Sequence, residues 1–170
     1  IENVELYAVF PFRLYGIGKP ELEVARDTFE RRSHKTGGRG HDSDDFQTAY
    51  LGLASTARTL LANRFGPRYL RPLKDDRGAR FPAFWHCGYD WRPDQCHGGG
   101  GMIALQAMLL QCEGEKILLF PAWPKDAEAE FKLRAPHNTT IEGVFRGGKL
   151  EELKVTPAER RKDLVVLPAQ

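Results

Sequence analysis

The residues best suited to chemistry are gathered in one stretch, Phe81-Pro-Ala-Phe-Trp-His-Cys-Gly-Tyr-Asp-Trp-Arg-Pro-Asp-Gln-Cys-His-Gly-Gly-Gly-Gly101. Trp85, Trp91 and Tyr89 offer flat aromatic faces, and such faces cover the apolar C–H faces of a pyranose ring. His86 and Asp90 are the polar partners that would take its hydroxyls, so Trp85, His86, Tyr89, Asp90 and Trp91 are the candidate substrate-binding residues. Asp94 and His97 add a second carboxylate and a second imidazole suited to the same hydroxyls. The four glycines that follow let backbone approach a ligand closely, and a helix beginning there points free N–H groups back at the loop. The same residues also admit a structural reading. The aromatics would then plug the end of a helical bundle, and Asp90 and Asp94 would cap turns on either side of Arg92-Pro93.

Two other chemistries fit this stretch less well. Cys87, Cys96, His97 and His86 have ligand character for zinc, but no paired Cys-x-x-Cys is present. The glycine run before a helix resembles a phosphate loop, yet no Lys-Ser or Lys-Thr follows it. No metal and no cofactor are therefore expected. Asn138-Thr139-Thr140 matches a glycosylation acceptor and reads more simply as a turn. The Cys87…Cys96 spacing leaves a loop-closing disulfide open.

Composition narrows the classes further. The 41% hydrophobic and 28% charged content are those of a globular chain. The 25 basic residues face 23 acidic ones, for a net charge of +2, which gives no nucleic-acid footprint. Arg31-Arg32 and Arg160-Arg161-Lys162 read as solvated surface, because each sits among acids. No apolar run approaches the ~20 residues of a membrane span. The chain opens at Ile1 on Leu6-Tyr7-Ala8-Val9-Phe10-Pro11-Phe12, which reads as interior sequence, and shows no secretory-signal pattern. The expectation is a chain whose amino-terminal portion lies elsewhere.

Helical elements must position the candidate loop. Leu22, Ala25 and Phe29 recur at helical spacing after Pro20, which predicts a helix over 20–35. Phe46, Ala49, Tyr50, Leu53, Ala57, Leu60 and Leu61 form one apolar stripe, predicting a single long helix over 44–65, capped by Ser43 or Asp44 and stopped by Gly66-Pro67. The irregular stretch from Pro67 to Gly101 is too aromatic for disorder and reads as an ordered functional loop. A third helix, from Gly99 or Gly100 to Leu110, is apolar on nearly every side and should be a core helix. Beyond Glu113-Gly114 short strands are predicted at Lys116–Phe120, Phe131–Ala135, Thr140–Arg146 and Lys149–Val155, with Gly147-Gly148 as a tight hairpin turn. Helices first and strands afterwards indicate an α+β chain in two packed regions, 1–113 and 114–170.

Here the residues carry a resemblance. Gly100-Gly101-Met-Ile-Ala-Leu-Gln-Ala-Met-Leu-Leu-Gln111 and then Lys116-Ile-Leu-Leu-Phe-Pro-Ala-Trp-Pro-Lys125 are similar to the end of the catalytic domain in glycoside hydrolase family 95 and its relatives. Phe131-Lys-Leu-Arg-Ala-Pro136 and Val144-Phe-Arg-Gly-Gly-Lys-Leu150 resemble the tail of the same architecture. The resemblance implies the last helices of an (α/α) six-hairpin toroid, residues 1–113, with a sugar-facing loop at 81–101. A small antiparallel β domain, residues 114–170, would follow. It implies a glycosidase, closer to another bacterial branch of the family than to the α-L-fucosidases that typify it, hydrolysing glycosidic bonds by acid/base catalysis in the intact enzyme, in a periplasmic or secreted setting. Its partners would be a carbohydrate substrate and the missing amino-terminal part of the same enzyme, with neither nucleic acid nor membrane. One departure stands out. The family's Asp-Gly-Asn-Phe-Gly-Gly pattern has a carboxylate where this sequence, counted back without gaps, has Cys96. A thiol replaces a carboxylate poorly at neutral pH. The role would then pass to Asp94 or His97, or the chain is a non-catalytic carbohydrate-binding or scaffold module, the alternative reading.

Overall fold

The structure, a computed structural model, describes residues 3–35, 43–65 and 95–170, with side chains from Gly98 onward in the last of these stretches. Helix α1 (Leu22–Arg31) buries Ala25 and Phe29, the positions its periodicity selects. It is shorter at both ends than the 20–35 expected. Glu21, just before it, has a left-handed backbone, and Arg32 just after it is extended, so neither continues the helix.

The single helix expected over 44–65 is two helices, α2 (Asp44–Tyr50) and α3 (Ala54–Phe65). Gly52 lies between them at φ +70, a left-handed conformation that a helix cannot contain and that glycine adopts without a Cβ penalty. A Cβ there would stand 2.3 Å from Ile17 Cδ1 and 3.2 Å from the Pro121 carbonyl oxygen. The apolar stripe was legible because both helices present their faces to one core, and the stripe concealed the break.

Helix α4 (Gln95–Leu109) begins four residues or more before the expected start and runs directly into strand β1 (Leu110–Glu113). It is not buried on all sides. Ala104, Ala107 and Met108 are buried, whereas Met102, Ile103 and Leu105 are exposed at 65%, 48% and 41%. Composition alone reads an apolar helix as a core helix, and here only one face is covered.

The chain is α+β. Strand β1 pairs antiparallel with β2 (Lys116–Leu119), and β2 pairs parallel with β6 (Leu164–Val166). The expected all-antiparallel region thus contains one parallel pair, made by a strand too short to show in the sequence pattern. A second sheet is the antiparallel meander β3 (Ala129–Ala135), β4 (Thr139–Arg146) and β5 (Lys149–Thr156). Gly147 and Gly148 form its second turn, both left-handed, as the two-glycine signature requires. Asn138, also left-handed, sits in the first turn, where Thr139 is fully buried.

One core joins both halves of the chain. Ala49, Ala57, Met108, Ile117, Leu119, Phe131, Ile141 and Phe145 belong to a single buried cluster. A smaller cluster of Leu6, Val9, Ala25, Phe29, Leu51 and Leu60 lies under the amino-terminal segment, and Tyr50 packs against both. The turn between β1 and β2, at Glu113–Lys116, is where the sequence changes character, and the larger cluster extends to either side of it.

The outer face of the meander is a charge ladder. Glu142 on β4 lies 3.2 Å from Lys132 Nζ on β3 and 3.6 Å from Lys154 Nζ on β5. The hydrogen bond from Lys132 holds the Glu142 carboxyl below its ordinary pKa, with the charges of Lys132 and Lys154 adding to the effect. The unfolded chain has the higher, ordinary value. The ladder's stabilisation is therefore present above that value and is lost as pH falls through the lowered folded one. Lys132→Met is expected to return the Glu142 pKa upward, and a carboxyl-detected NMR titration of the variant against the parent checks it.

Candidate functional site

Of the residues selected from sequence, Trp85, His86, Tyr89, Asp90, Trp91 and Asp94 lie outside the described residues, as do Cys87 and the side chain of Cys96. The backbone of His97 lies in the first turn of α4, with its side chain outside the described set. The structure does describe the frame from which this stretch is hung. The stretch leaves α3 after Phe65 and returns at Gln95, and the two helix ends meet the start of α2.

A buried ion pair holds that meeting point. Arg64, in the last turn of α3, donates from Nε to Asp45 Oδ2 at 2.6 Å and from Nη2 to Asp45 Oδ1 at 3.0 Å. Both side chains are 0% exposed. This bidentate geometry is the strong form of a charge-assisted hydrogen bond. Asp45 also sits in the first turn of α2, where a negative charge is favoured by the helix dipole.

Beside it, Asp44 accepts from Arg32 Nε at 3.1 Å and from Asn3 Nδ2 at 3.3 Å. Asn3 also bridges to the His34 backbone through both of its amide atoms. Arg32 lies 3.7 Å over the Phe29 ring and donates to the Phe29 carbonyl. Arg32, expected on the solvated surface, is instead internal, while its neighbour Arg31 is exposed. The Arg160 cluster divides in the same way. Arg160 is mostly buried, donating to Asp163, Glu115 and Thr139.

The far end of α2 is also pinned. Gln111 Nε2 donates to the carbonyls of Ala49 at 2.8 Å and Ala107 at 2.9 Å, tying α2 to the end of α4. An aromatic column connects the two ends of the frame. Phe46 stacks on Phe10 at 4.7 Å, and Phe10 stacks on Tyr50 at 5.8 Å. Arg64 Cζ lies 5.9 Å from the Phe46 ring and Arg13 Cζ 3.7 Å from the Tyr50 ring, so a guanidinium caps each end. Arg13 and Lys19 both pair with Glu113 on β1.

The glycine run has a packing role at two of its positions. A Cβ at Gly100 would stand 3.1 Å from Phe46 Cζ and 3.2 Å from Arg64 Nη1, and one at Gly101 would stand 2.1 Å from Phe65 Cζ. These two glycines admit side chains of α2 and α3 against the helix backbone. Gly99 has nothing within 4 Å of a Cβ.

Asp45 and Arg64 were missed as site-framing residues, although a signal existed. Arg64 continues the Ala57–Leu60 stripe one turn on, and a charge on an apolar stripe asks for a buried partner. Cys112 is half-buried, and burial raises its thiol pKa against the opposing charges of Arg13 and Arg160. It is therefore a weak nucleophile at neutral pH. Among the described residues no group of three or more His, Cys, Asp or Glu is arranged to hold a metal, and no helix is long and apolar enough to cross a membrane. Comparison with protein-family models and with curated proteins found no match.

Asp45→Ala strands the Arg64 charge in the interior and is expected to cost about 3–5 kcal/mol, measured by urea unfolding. The glycines should separate in the same assay. Gly99→Ala should gain about 0.5–1 kcal/mol from helix preference. Gly101→Ala should lose about 1–3 kcal/mol, because Phe65 must move.

Proposed function

We propose that the chain is part of a glycoside hydrolase and that residues 81–101 face the sugar. The observation that carries this reading is the concentration of Trp85, His86, Tyr89, Asp90, Trp91, Asp94 and His97 in the stretch that joins α3, whose last turn is held by the buried Asp45–Arg64 pair, to α4. Saccharide recognition requires binding groups held in place before the ligand arrives, and the packed ends of α3 and α4 are suited to anchoring such a stretch. The resemblance of residues 98–125 to family 95 glycosidases supports the same reading. On this reading 1–113 are the last helices of an (α/α) toroid and 114–170 a carboxy-terminal β domain. Trp85 or Trp91 stacks on the sugar, and Asp94 or His97 holds a hydroxyl or the attacking water. Inverting or retaining hydrolysis needs a second carboxyl group across the bond, which on this reading comes from earlier helices of the toroid.

One observation favours the second reading, a non-catalytic carbohydrate-binding or scaffold module. The carboxylates buried among the described residues, Asp44 and Asp45, are each bound by an arginine and so are poorly placed for proton transfer. The two readings separate by experiment. Titration with mono- and oligosaccharides should show binding, and Trp85→Ala or Trp91→Ala should weaken it by about 1–3 kcal/mol, the worth of a buried aromatic contact. Asp94→Asn and His97→Ala in the full enzyme should lower turnover under the first reading and leave only binding affected under the second. The chain by itself is expected to bind saccharide without hydrolysing aryl glycosides. Four variants that fold normally and change neither binding nor turnover would dismiss the site.

A further inference from the structure

Asp45–Arg64 is, among the described residues, the ion pair whose two side chains are both wholly removed from solvent. As a source of stability such a pair is inefficient, because each ion forfeits its hydration and an apolar pair of similar volume often serves as well. What it supplies and an apolar pair lacks is direction. Two parallel bonds to one carboxylate fix the rotation of the guanidinium plane. The oriented Arg64 then lies along α4, with Nη1 3.2 Å and Cζ 3.4 Å from where a Gly100 Cβ would be, and Cδ 3.0 Å from that of Gly101. Phe46 closes on Gly100 from α2.

The helix start it touches needs such definition. Gly98–Gly101 lie in the first turns of α4, and each glycine there lowers helix preference by about 1 kcal/mol relative to alanine. Without side chains of their own, Gly100 and Gly101 take their register against α2 and α3 from the side chains packed on them, Phe46, Arg64 and Phe65.

We propose that Asp45 and Arg64 are positioning residues that set the register of the first turns of α4 rather than stabilise the fold. They act through Gly100 and Gly101, and the same contact fixes the exit from α3, since Arg64 is the penultimate residue of that helix. That the frame serves saccharide contact rests on the function proposed above; the positioning itself does not.

The test is an apolar replacement of the pair, Asp45→Leu with Arg64→Met, followed by amide hydrogen exchange at Gly98–Gly101 and by urea unfolding. The expected result is exchange at these amides faster by about tenfold or more with the unfolding midpoint held. Arg64→Lys, which keeps the charge and loses the planar fork, should give the same pattern more weakly. Glycine exchange unchanged in the double variant overturns the proposal. So does a midpoint that falls in step with the exchange, or a double variant that does not fold, since either makes the pair a stability element. Saccharide titration of the parent chain runs alongside. Absence of binding there defeats the functional reading alone, and the exchange result decides the positioning.

Discussion

The pairing of Asp45 with Arg64 constrains most of what surrounds it. Once a carboxylate is placed at the start of a buried helix, its counter-charge must be buried too, and Arg64 brings it from the last turn of α3. The guanidinium occupies space that α4 would otherwise fill, so α4 must present backbone without side chains there, and Gly100 and Gly101 do so. The aromatic column follows from the same requirement. Phe46 flanks the guanidinium, Phe10 stacks on Phe46, and Tyr50 on Phe10, until Arg13 ends the column near Glu113. A buried charge left without a partner costs several kcal/mol. That cost makes this arrangement all-or-none.

Helix α2 is the element through which these requirements pass. It has seven residues, of which Asp44 through Ala49 are buried, and Asp44, Asp45, Gln47 and Thr48 among them are polar. A short helix with so polar a buried face would not form by propensity. It is held by partners outside itself: Arg32 and Asn3 on Asp44, Arg64 on Asp45, and Gln111 on the Ala49 carbonyl. Thr48 turns its hydroxyl back to the carbonyls of Asp44 and Asp45, so this polar group is satisfied within the helix.

Periodicity made the helical face over 44–65 and the strands from β2 to β5 legible, because burial of one face leaves its period in the sequence. It did not reveal the break at Gly52, since both helices face the same core and the stripe passes through the interruption. Strands β1 and β6 escaped for a different reason. Leu110–Glu113 continues the apolar run of α4, and Leu164–Val166 is too short to alternate. The candidate loop was chosen by residue type alone, which identifies chemistry without geometry. Its frame was hidden because Asp44 resembles a helix cap, Asp45 an ordinary first-turn acid and Arg32 surface charge. What distinguishes them is the partner, Asn3, Arg32 or Arg64, brought close by the tertiary fold.

Tyr50 ends α2 with its ring against both buried clusters, the small one beneath the amino-terminal segment and the large one that links helices to sheets. A side chain shared in this way cannot be exposed by one cluster without disturbing the other. The physical consequence is cooperativity. The two clusters, of unequal size and on different stretches of chain, should therefore melt in one transition, which agreement of the calorimetric and van't Hoff enthalpies would show. Removal of the shared ring would uncouple the smaller cluster and let the amino-terminal segment open first.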